Sequence, residues 1–275
     1  MRKSYHSTKN NEITKIDPYL LHCLPFSPSH IRRGGFKVSR VFGTTEMTVT
    51  AFETLNHLDL LTILQLSKYY ITNRSEYGES ARVDGFEVLK GYINLAELAT
   101  ERGLLNKKAN RKTILDSIKR LKSADVDFTY LNKFGKPEKT VYTKYIFQIE
   151  APENNDLNEV AIIVNKAFLD FCIDNGVIVN ISRLYKYKSA YTFFLDVFLQ
   201  GTHWNSYDEG LLFEKIGLDI INMPGWEKRR MLKKAFWEIK TITGLDFQFQ
   251  KNSKKWVGTP EYKIVKSKHR KKGKK

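Results

Sequence analysis

The sequence predicts an α+β protein built from two similar halves, and three observations carry this prediction. Each half has a long apolar helix, a short capped helix, a longer helix and a two-stranded hairpin with a basic tip. A shift of about 118 residues superposes the halves, so that Ile114 falls on Leu232 and Ile118 falls on Phe236. Basic residues recur at matching positions of the longer helices and of the hairpin tips. Because a helix-turn-helix followed by a hairpin forms a winged helix-turn-helix, we expect two tandem winged helix-turn-helix domains related by an internal pseudo-repeat.

These elements divide the chain into four regions. Residues 1–45 are rich in proline and polar side chains, and we expect a flexible N-terminal arm that leads into a short strand over 36–42. Residues 46–150 form the first predicted winged-helix domain and residues 151–265 form the second. Residues 266–275 carry seven Lys and Arg residues and no acid, which predicts a disordered basic tail.

Local signals define the elements of the first half. Thr50 and Glu53 match a capping box, which predicts the start of a buried helix, and Asn94 opens a second, short helix. Apolar residues at helical spacing predict a third helix, and two β-rich runs around a Lys-rich turn predict a hairpin. The predicted helices cover 50–70, 94–103 and 110–122, and the predicted hairpin strands cover 126–131 and 141–149.

The second half is delimited by similar signals. Ser189 caps one helix, and Ser206 and Glu209 form the capping box of another. Pro224 is suited to the first turn of a helix and Gly244 to its end. The predicted strands cover 160–164 and 177–181, the predicted helices cover 165–174, 189–199, 206–217 and 224–244, and the predicted hairpin strands cover 245–250 and 261–265.

The charge of the chain indicates the kind of partner. The 275 residues contain 46 Lys+Arg and 30 Asp+Glu, which gives a formal net charge of +16 at pH 7. A surplus of this size indicates a polyanionic partner, with nucleic acid as the first choice and an anionic membrane as the second. The hydrophobic content of 41% is high enough to build a core, which excludes wholesale disorder.

Motifs for catalysis and metal binding are missing from the sequence. Cys23 and Cys172 form no C-x-x-C pair, which argues against a disulfide scaffold and against a structural zinc site. The six histidines form no H-E-x-x-H or His-x-His pair, and neither a P-loop nor a Gly-x-Ser-x-Gly motif occurs. No apolar run is long enough to span a bilayer. We therefore expect a cytoplasmic protein with no enzymatic activity, metal, cofactor or membrane partner.

The longer helix of each half is the candidate recognition helix. At 100° per residue, Leu232, Phe236 and Ile239 cluster on one side of the second helix, and basic residues project to the other side. Guanidinium and ammonium groups on such a face can bind phosphate or the acceptor edge of guanine. Asp116 lies among the cations of the first helix and would repel phosphate, so the second helix is the stronger candidate. The candidate DNA-contacting residues on the two helices are Lys108, Lys112, Lys119, Arg120, Trp226, Arg229, Arg230, Lys233 and Lys234.

Each helix is followed by a predicted wing with a basic tip, which we expect to contact the DNA backbone. The candidate residues are Lys133, Lys136 and Lys139 in the first wing and Lys251, Lys254 and Lys255 in the second. Trp237 lies on the polar face of the second helix, and we expect its indole to pack beneath the wing.

Two segments of the second half resemble the iteron-binding plasmid replication initiators, a bacterial family with two winged-helix domains. Tyr187–Leu195 resembles the family's lysine-serine-x-tyrosine opening of the first helix of its second domain. Lys228–Ile239, followed by Thr243–Phe247, resembles its recognition helix and first wing strand. Together the two segments support a resemblance to this family over about residues 160–265. The first half matches in layout only, and the turn Lys251–Trp256 lacks the Gly-Arg-Lys run that is frequent in the family's wing.

The resemblance implies a function. A member of this family would bind repeated sites at a plasmid origin, melt the adjacent duplex and recruit the host initiator and the replicative helicase. It would also initiate replication as a monomer and repress its own gene as a homodimer, with the first domain as the dimer surface.

Three functions therefore remain open at this point. The first is a sequence-specific double-stranded DNA-binding replication initiator, associated with plasmid or nucleoid. The second is a transcriptional repressor or plasmid-partition adaptor with the same fold. The third is a DNA-processing enzyme such as a nickase or primase.

Overall fold

A computed structural model of the protein describes residues 13–28, 35–72, 80–151, 158–202, 204–219 and 221–258, and it shows a mixed arrangement of helices and antiparallel sheets. The first part of the chain contains β1 (Ile13–Ile16), α1 (Pro18–Cys23), β2 (Phe36–Phe42), β3 (Thr45–Ala51), α2 (His57–Thr72), β4 (Ser80–Val83), β5 (Phe86–Asn94), α3 (Leu95–Glu101), α4 (Lys108–Lys122), β6 (Asp125–Leu131), β7 (Pro137–Lys144) and β8 (Ile146–Glu150). The second part contains β9 (Glu159–Asn165), α5 (Lys166–Asn175), β10 (Val177–Asn180), α6 (Ile181–Leu184), α7 (Ala190–Gly201), β11 (Ser206–Asp208), α8 (Glu209–Lys215), α9 (Gly225–Thr243), β12 (Phe247–Gln250) and β13 (Lys255–Gly258).

The strands of the described ranges form four sheets. Two have four strands, in the orders β2-β3-β6-β7 and β4-β5-β9-β8. A third sheet has the order β11-β13-β12, and β1 pairs with β10. The buried apolar side chains of both halves join into one continuous core.

The first helix of the first half begins later than predicted. Asn56 caps α2, because its Oδ1 accepts a hydrogen bond from the Leu58 amide at 2.8 Å and its own amide donates to Asp59 Oδ2 at 2.8 Å. The prediction of a helix start at Thr50 is wrong, since this segment belongs to β3. Met47 and Val49 are buried while Thr48 between them is partly exposed, and this alternation is the pattern of a strand with one buried face.

The predicted second strand of the first hairpin is divided between two sheets. β7 ends at Lys144 and pairs with β6, whereas β8 begins at Ile146 and pairs with β9. The chain passes from one sheet to the other at Tyr145, whose ring is buried 4.8 Å from the ring centroid of Phe168.

The prediction of a flexible arm is wrong for residues 13–28, whereas the predicted strand over 36–42 is confirmed as β2. β1 pairs with β10 of the second half, and α1 is capped by Asp17 Oδ1, which accepts a hydrogen bond from the Tyr19 amide at 2.6 Å. Leu20 and Leu21 are fully buried in the core, and burial of apolar surface holds this segment in place. Residues 1–12, 29–34 and the predicted tail 266–275 lie outside the described residues.

Most predicted elements of the second half are confirmed, and β9 and β10 lie within one residue of the predicted strands 160–164 and 177–181. α9 follows Pro224 and ends before Gly244, which has the left-handed φ of 74° that suits a helix end. Ser206 begins β11 rather than a helix, because Tyr207 points into the core and β11 pairs with β13. The partner of β12 is β13 at Lys255–Gly258, while the predicted strand 261–265 lies outside the described residues.

The two halves share their order of helices but differ in their sheets. α2, α3 and α4 precede the hairpin β6–β7, just as α7, α8 and α9 precede the hairpin β12–β13. In the second half, the strand before α8 pairs with the hairpin. In the first half, the strand before α3 pairs with β4 and β9, and the hairpin pairs with β3 instead.

Candidate nucleic-acid interface

The longest described helix, α9, exposes aromatic and basic side chains along one side. Leu232, Phe236 and Ile239 bury the opposite side in the core. Trp226 and Trp237 are 64% and 67% exposed. They are eleven residues apart, so they lie on the same face of the helix, with Cα atoms separated by about 16 Å along the axis. The exposed basic residues Arg230, Lys233 and Lys234 lie between them. We call these five exposed residues the α9 strip.

Arg230 is the cation of the α9 strip that is best suited to base recognition, because it carries a guanidinium group. Its side chain is 70% exposed, and Nη2 forms an ion pair with Glu227 at 3.1 Å. The guanidinium lies 5.8 Å from the ring centroid of Trp226, a distance typical of a cation–π contact. Because exposed ion pairs of this kind contribute little free energy, phosphate or guanine can replace Glu227 as the partner.

Arg229 has a different role from the one predicted for it. Its Nε and Nη2 donate to the two carboxylate oxygens of Glu209 at 2.6 and 2.7 Å, and its guanidinium lies 5.0 Å from the ring centroid of Phe249. Hydrogen bonding to Glu209 raises the pKa of Arg229 further above its ordinary value. This fork fastens α9 to the start of α8 and is already occupied by Glu209, so we no longer expect Arg229 to contact DNA.

The indole beneath the second hairpin belongs to Trp256. Its side chain is 3% exposed and stacks on Phe236, with ring centroids 4.5 Å apart. The expectation that Trp237 packs under the hairpin is therefore wrong. Trp256 lies between the exposed Lys255 and the partly exposed Val257. The alternation of a strand is therefore the signal that could have identified Trp256 as the buried indole.

The tip of the second hairpin is basic and exposed. The predicted contacts Lys251, Lys254 and Lys255 all project into solvent there. The base of the tip adjoins α8, because the Glu209 amide donates to the Lys254 carbonyl oxygen at 3.1 Å. Glu209 thus links the hairpin, through its backbone, and α9, through its side chain, to one end of α8.

The corresponding helix of the first half, α4, exposes fewer cations than predicted. Lys108, Lys112 and Lys119 are exposed, and Asp116 lies beside them with partial exposure. In the first hairpin, the predicted contacts Lys133, Lys136 and Lys139 are also exposed.

Arg120 does not face outward with the other cations of α4. Its Nη2 lies 2.8 Å and its Nε 3.1 Å from Asp59 Oδ1, and the side chain is only 11% exposed. The Asp59 side chain is 0% exposed and also accepts a hydrogen bond from Ser117 at 2.6 Å. Because Arg120 neutralises a buried carboxylate at the start of α2, we no longer expect it to contact DNA.

The described part of the chain also bears on metal binding and on membrane insertion. Within the described ranges, no group of three or more His, Cys, Asp or Glu residues could hold a metal ion. No helix described is both long and apolar enough to cross a membrane. Cys23 and Cys172 are buried free thiols, and burial raises the pKa of both.

Comparison with known proteins gives a fold. No protein-family model and no curated protein sequence matches the chain. A crystal structure of selenomethionine derivatives of domains 2 and 3 of RctB does match, with a TM-score of 0.59 and 12% identity over 88% of this chain and 97% of that chain. A second structure of RctB domains 2 and 3 matches with a TM-score of 0.55 and 11% identity over 88% of this chain and 98% of that chain. The chain therefore shares its fold with domains 2 and 3 of RctB.

Proposed function

We propose that the protein is a sequence-specific double-stranded DNA-binding replication initiator. The single observation that carries this proposal is the α9 strip, in which three exposed cations lie between two exposed tryptophans on a helix followed by a basic hairpin. Most of these side chains are exposed to solvent and the strip has a positive net charge, so it does not stabilise the fold by burial. It does match the charge and the groove dimensions of duplex DNA.

The second half supports DNA binding through its topology. The order α7, β11, α8, α9, β12, β13 with the sheet order β11-β13-β12 is the order expected of a winged helix-turn-helix, in which α9 would be the recognition helix. The 19 residues of α9 span about 28 Å, which is ample for a helix lying in a major groove about 12 Å wide. In this arrangement the hairpin tip at Lys251 and Lys254 reaches the phosphates beside the groove.

The residues of the strip would then have separate tasks. Arg230 has a planar fork that can donate to O6 and N7 of guanine together, which discriminates against other bases. Lys233 and Lys234 supply point charges that suit phosphate. In the first half, Lys112 and Lys119 would add contacts to the backbone of an adjacent segment.

The role in replication rests on two likenesses. The fold is shared with domains 2 and 3 of RctB, and two segments of the second half resemble the iteron-binding plasmid initiators. We therefore propose that the protein binds repeated origin sites, promotes opening of the origin and recruits the host initiator and helicase. The first domain would provide the surface for a homodimer.

Two substitutions test the assignment of roles at the interface. Arg230→Ala should weaken binding to the selected site about 5- to 150-fold, the equivalent of roughly 1–3 kcal/mol, and should leave binding to unrelated DNA nearly unchanged. Lys254→Ala should weaken both about equally and should reduce the salt dependence by about one phosphate contact. Fluorescence anisotropy with a duplex selected from a random-sequence pool measures both effects. Equal loss on both kinds of DNA for Arg230→Ala would contradict the role of α9.

The choice among initiator, repressor and enzyme needs a functional assay. When the protein is supplied in trans to a plasmid that carries only the origin, replication supports the initiator, and silencing without replication supports a repressor. We propose that the protein acts without enzymatic activity of its own. Nicking of supercoiled origin DNA in the presence of divalent metal would contradict that part of the proposal.

A further inference from the structure

The tip of the first hairpin carries a large apolar side chain in an unusually exposed position. Phe134 lies in the turn between β6 and β7 and is 75% exposed. The second hairpin has no counterpart, because its turn consists of Lys251, Asn252, Ser253 and Lys254. The two hairpins therefore differ in chemistry, and the first offers an aromatic ring where the second offers only polar groups.

The turn holds Phe134 outward through a dense set of hydrogen bonds. Asn132 Oδ1 accepts from the Phe134 amide at 2.9 Å and from the Lys136 amide at 3.0 Å. The Asn132 amide donates to the Lys136 carbonyl oxygen at 2.8 Å, and the Gly135 amide donates to the Asn132 carbonyl oxygen at 2.9 Å. Gly135 has a φ of 73°, a left-handed conformation that glycine adopts without strain. The backbone around the ring is thus organised before any partner binds.

One lysine lies over the exposed ring, and two more are exposed on the same hairpin. Lys133 Nζ lies 5.0 Å from the centroid of the Phe134 ring, and Lys136 and Lys139 are exposed along the same hairpin. Within the turn and the start of β7, Glu138 is the single acid. An exposed apolar ring at a hairpin tip that also carries ammonium groups complements a DNA duplex, in which stacked bases lie between two rows of phosphates.

We propose that Phe134 is a wedge that enters between two adjacent base pairs from the minor groove, while Lys133 and Lys136 bind the flanking phosphates. Apolar side chains that act in this way unstack a base step and kink the duplex. The inference rests on the proposed function, since it assigns a second, chemically distinct contact to the same DNA-binding protein. Pyrimidine–purine steps unstack most readily, so the wedge should favour a TA or CA step. Unstacking one step beside the binding site would also ease opening of the duplex.

The test measures binding and unstacking on one probe. The probe is a duplex that the full-length protein selects from a random-sequence pool, with 2-aminopurine placed in turn at each adenine. The wild-type protein should bind it and raise the fluorescence of 2-aminopurine severalfold at one step. Phe134→Ala should bind about five- to tenfold more weakly, with no rise in fluorescence, because base–aromatic stacking is lost. Tyr142→Ala is the matched control, since Tyr142 is an equally accessible aromatic, 68% exposed, in the body of β7.

The possible outcomes separate this inference from the proposed function. If the wild-type protein binds the duplex but brightens no step, or if Phe134→Ala brightens the step as the wild type does, the wedge is overturned and DNA binding stands. If Phe134→Ala abolishes self-association in sedimentation while the fluorescence is unchanged, the ring contacts a second copy of the chain and the wedge is again overturned. If the wild-type protein selects no duplex at all, the proposed function itself is wrong. Because Phe134 is exposed, unchanged thermal melting of the variant should show that its fold is intact.

Discussion

Replacing Arg120 by alanine should destabilise the protein without changing its contact with DNA. The substitution leaves Asp59, whose side chain is 0% exposed, without the cation that neutralises it. Removing one partner of a buried ion pair costs about 3–5 kcal/mol. Asp59 keeps its hydrogen bonds to the Ser117 hydroxyl and the Asn56 amide, so the cost should lie near the lower end, at about 3 kcal/mol. With a denaturant slope of about 3 kcal/mol per molar urea, the unfolding midpoint should fall by roughly 1 M.

The assay combines urea unfolding with DNA binding over a range of salt concentrations. Lys112→Ala is the control, because Lys112 is exposed on the same helix. It should change stability by less than about 0.5 kcal/mol, and if it contacts a phosphate it should reduce the slope of log K against log salt by about 0.9. Arg120→Ala should leave this slope unchanged under conditions in which the variant is folded.

The opposite pattern would refute the reasoning. If Arg120→Ala unfolds at the wild-type urea concentration and loses DNA affinity as Lys112→Ala does, the guanidinium is free in solution. In that case Arg120 would belong to the interface after all, and the buried pair with Asp59 would not determine its position.

Three further predictions concern packing and charge. Burial raises the pKa of Asp17 from 3.8 to about 6, so the stability that this group contributes is present at low pH and is lost as the pH rises through about 6. Asp17→Asn should flatten this fall in the unfolding midpoint and should stabilise the protein at pH 8 by up to about 3 kcal/mol. Parallel pH profiles of the variant and the wild type would contradict this prediction. Arg229→Ala leaves Glu209 unpaired and should lower stability by about 1 kcal/mol. The loss should be smaller in high salt, because the Arg229 side chain is about one-third exposed. The variant should retain its discrimination between DNA sequences in anisotropy titrations. A Cβ on Gly201 would overlap Leu21, which is fully buried, so Gly201→Ala should cost about 1–3 kcal/mol in urea unfolding, and an unchanged midpoint would show that α1 can move away from α7.

Several helix ends were predicted correctly from the sequence. Asn94 caps α3 by accepting from the amides of Ala96 and Glu97, as its position before an apolar run indicates. Pro224 and Gly244 bracket α9 as predicted. A cap acts within a single turn, so its chemistry depends on residues three or four positions away. The capping boxes at Thr50 and Ser206 failed because both residues lie in strands that pair with distant segments.

The positions of several strands were also predicted, as at β2, β9 and β10, but most of their pairing partners were not. Thr50 and Glu53 match a capping box, yet Thr50 lies in β3, where it pairs with Lys37 and Asp125. Tyr145 looks like the middle of one β-rich run, but the chain changes sheets there. Sheet partners lie far apart along the chain, so the local pattern specifies a strand without specifying what it pairs with.

The sequence alone determined that the chain is strongly basic and that α9 has one apolar and one cationic face, because composition and helical period are properties of the chain itself. Only the tertiary structure decided which cations are available. Arg120 and Arg229 look like their neighbours in sequence, but Asp59 and Glu209 hold them from 61 and 20 residues away. Whether a cationic side chain is available to a partner depends on which acidic side chain the fold places beside it. The local sequence pattern does not identify that acidic side chain.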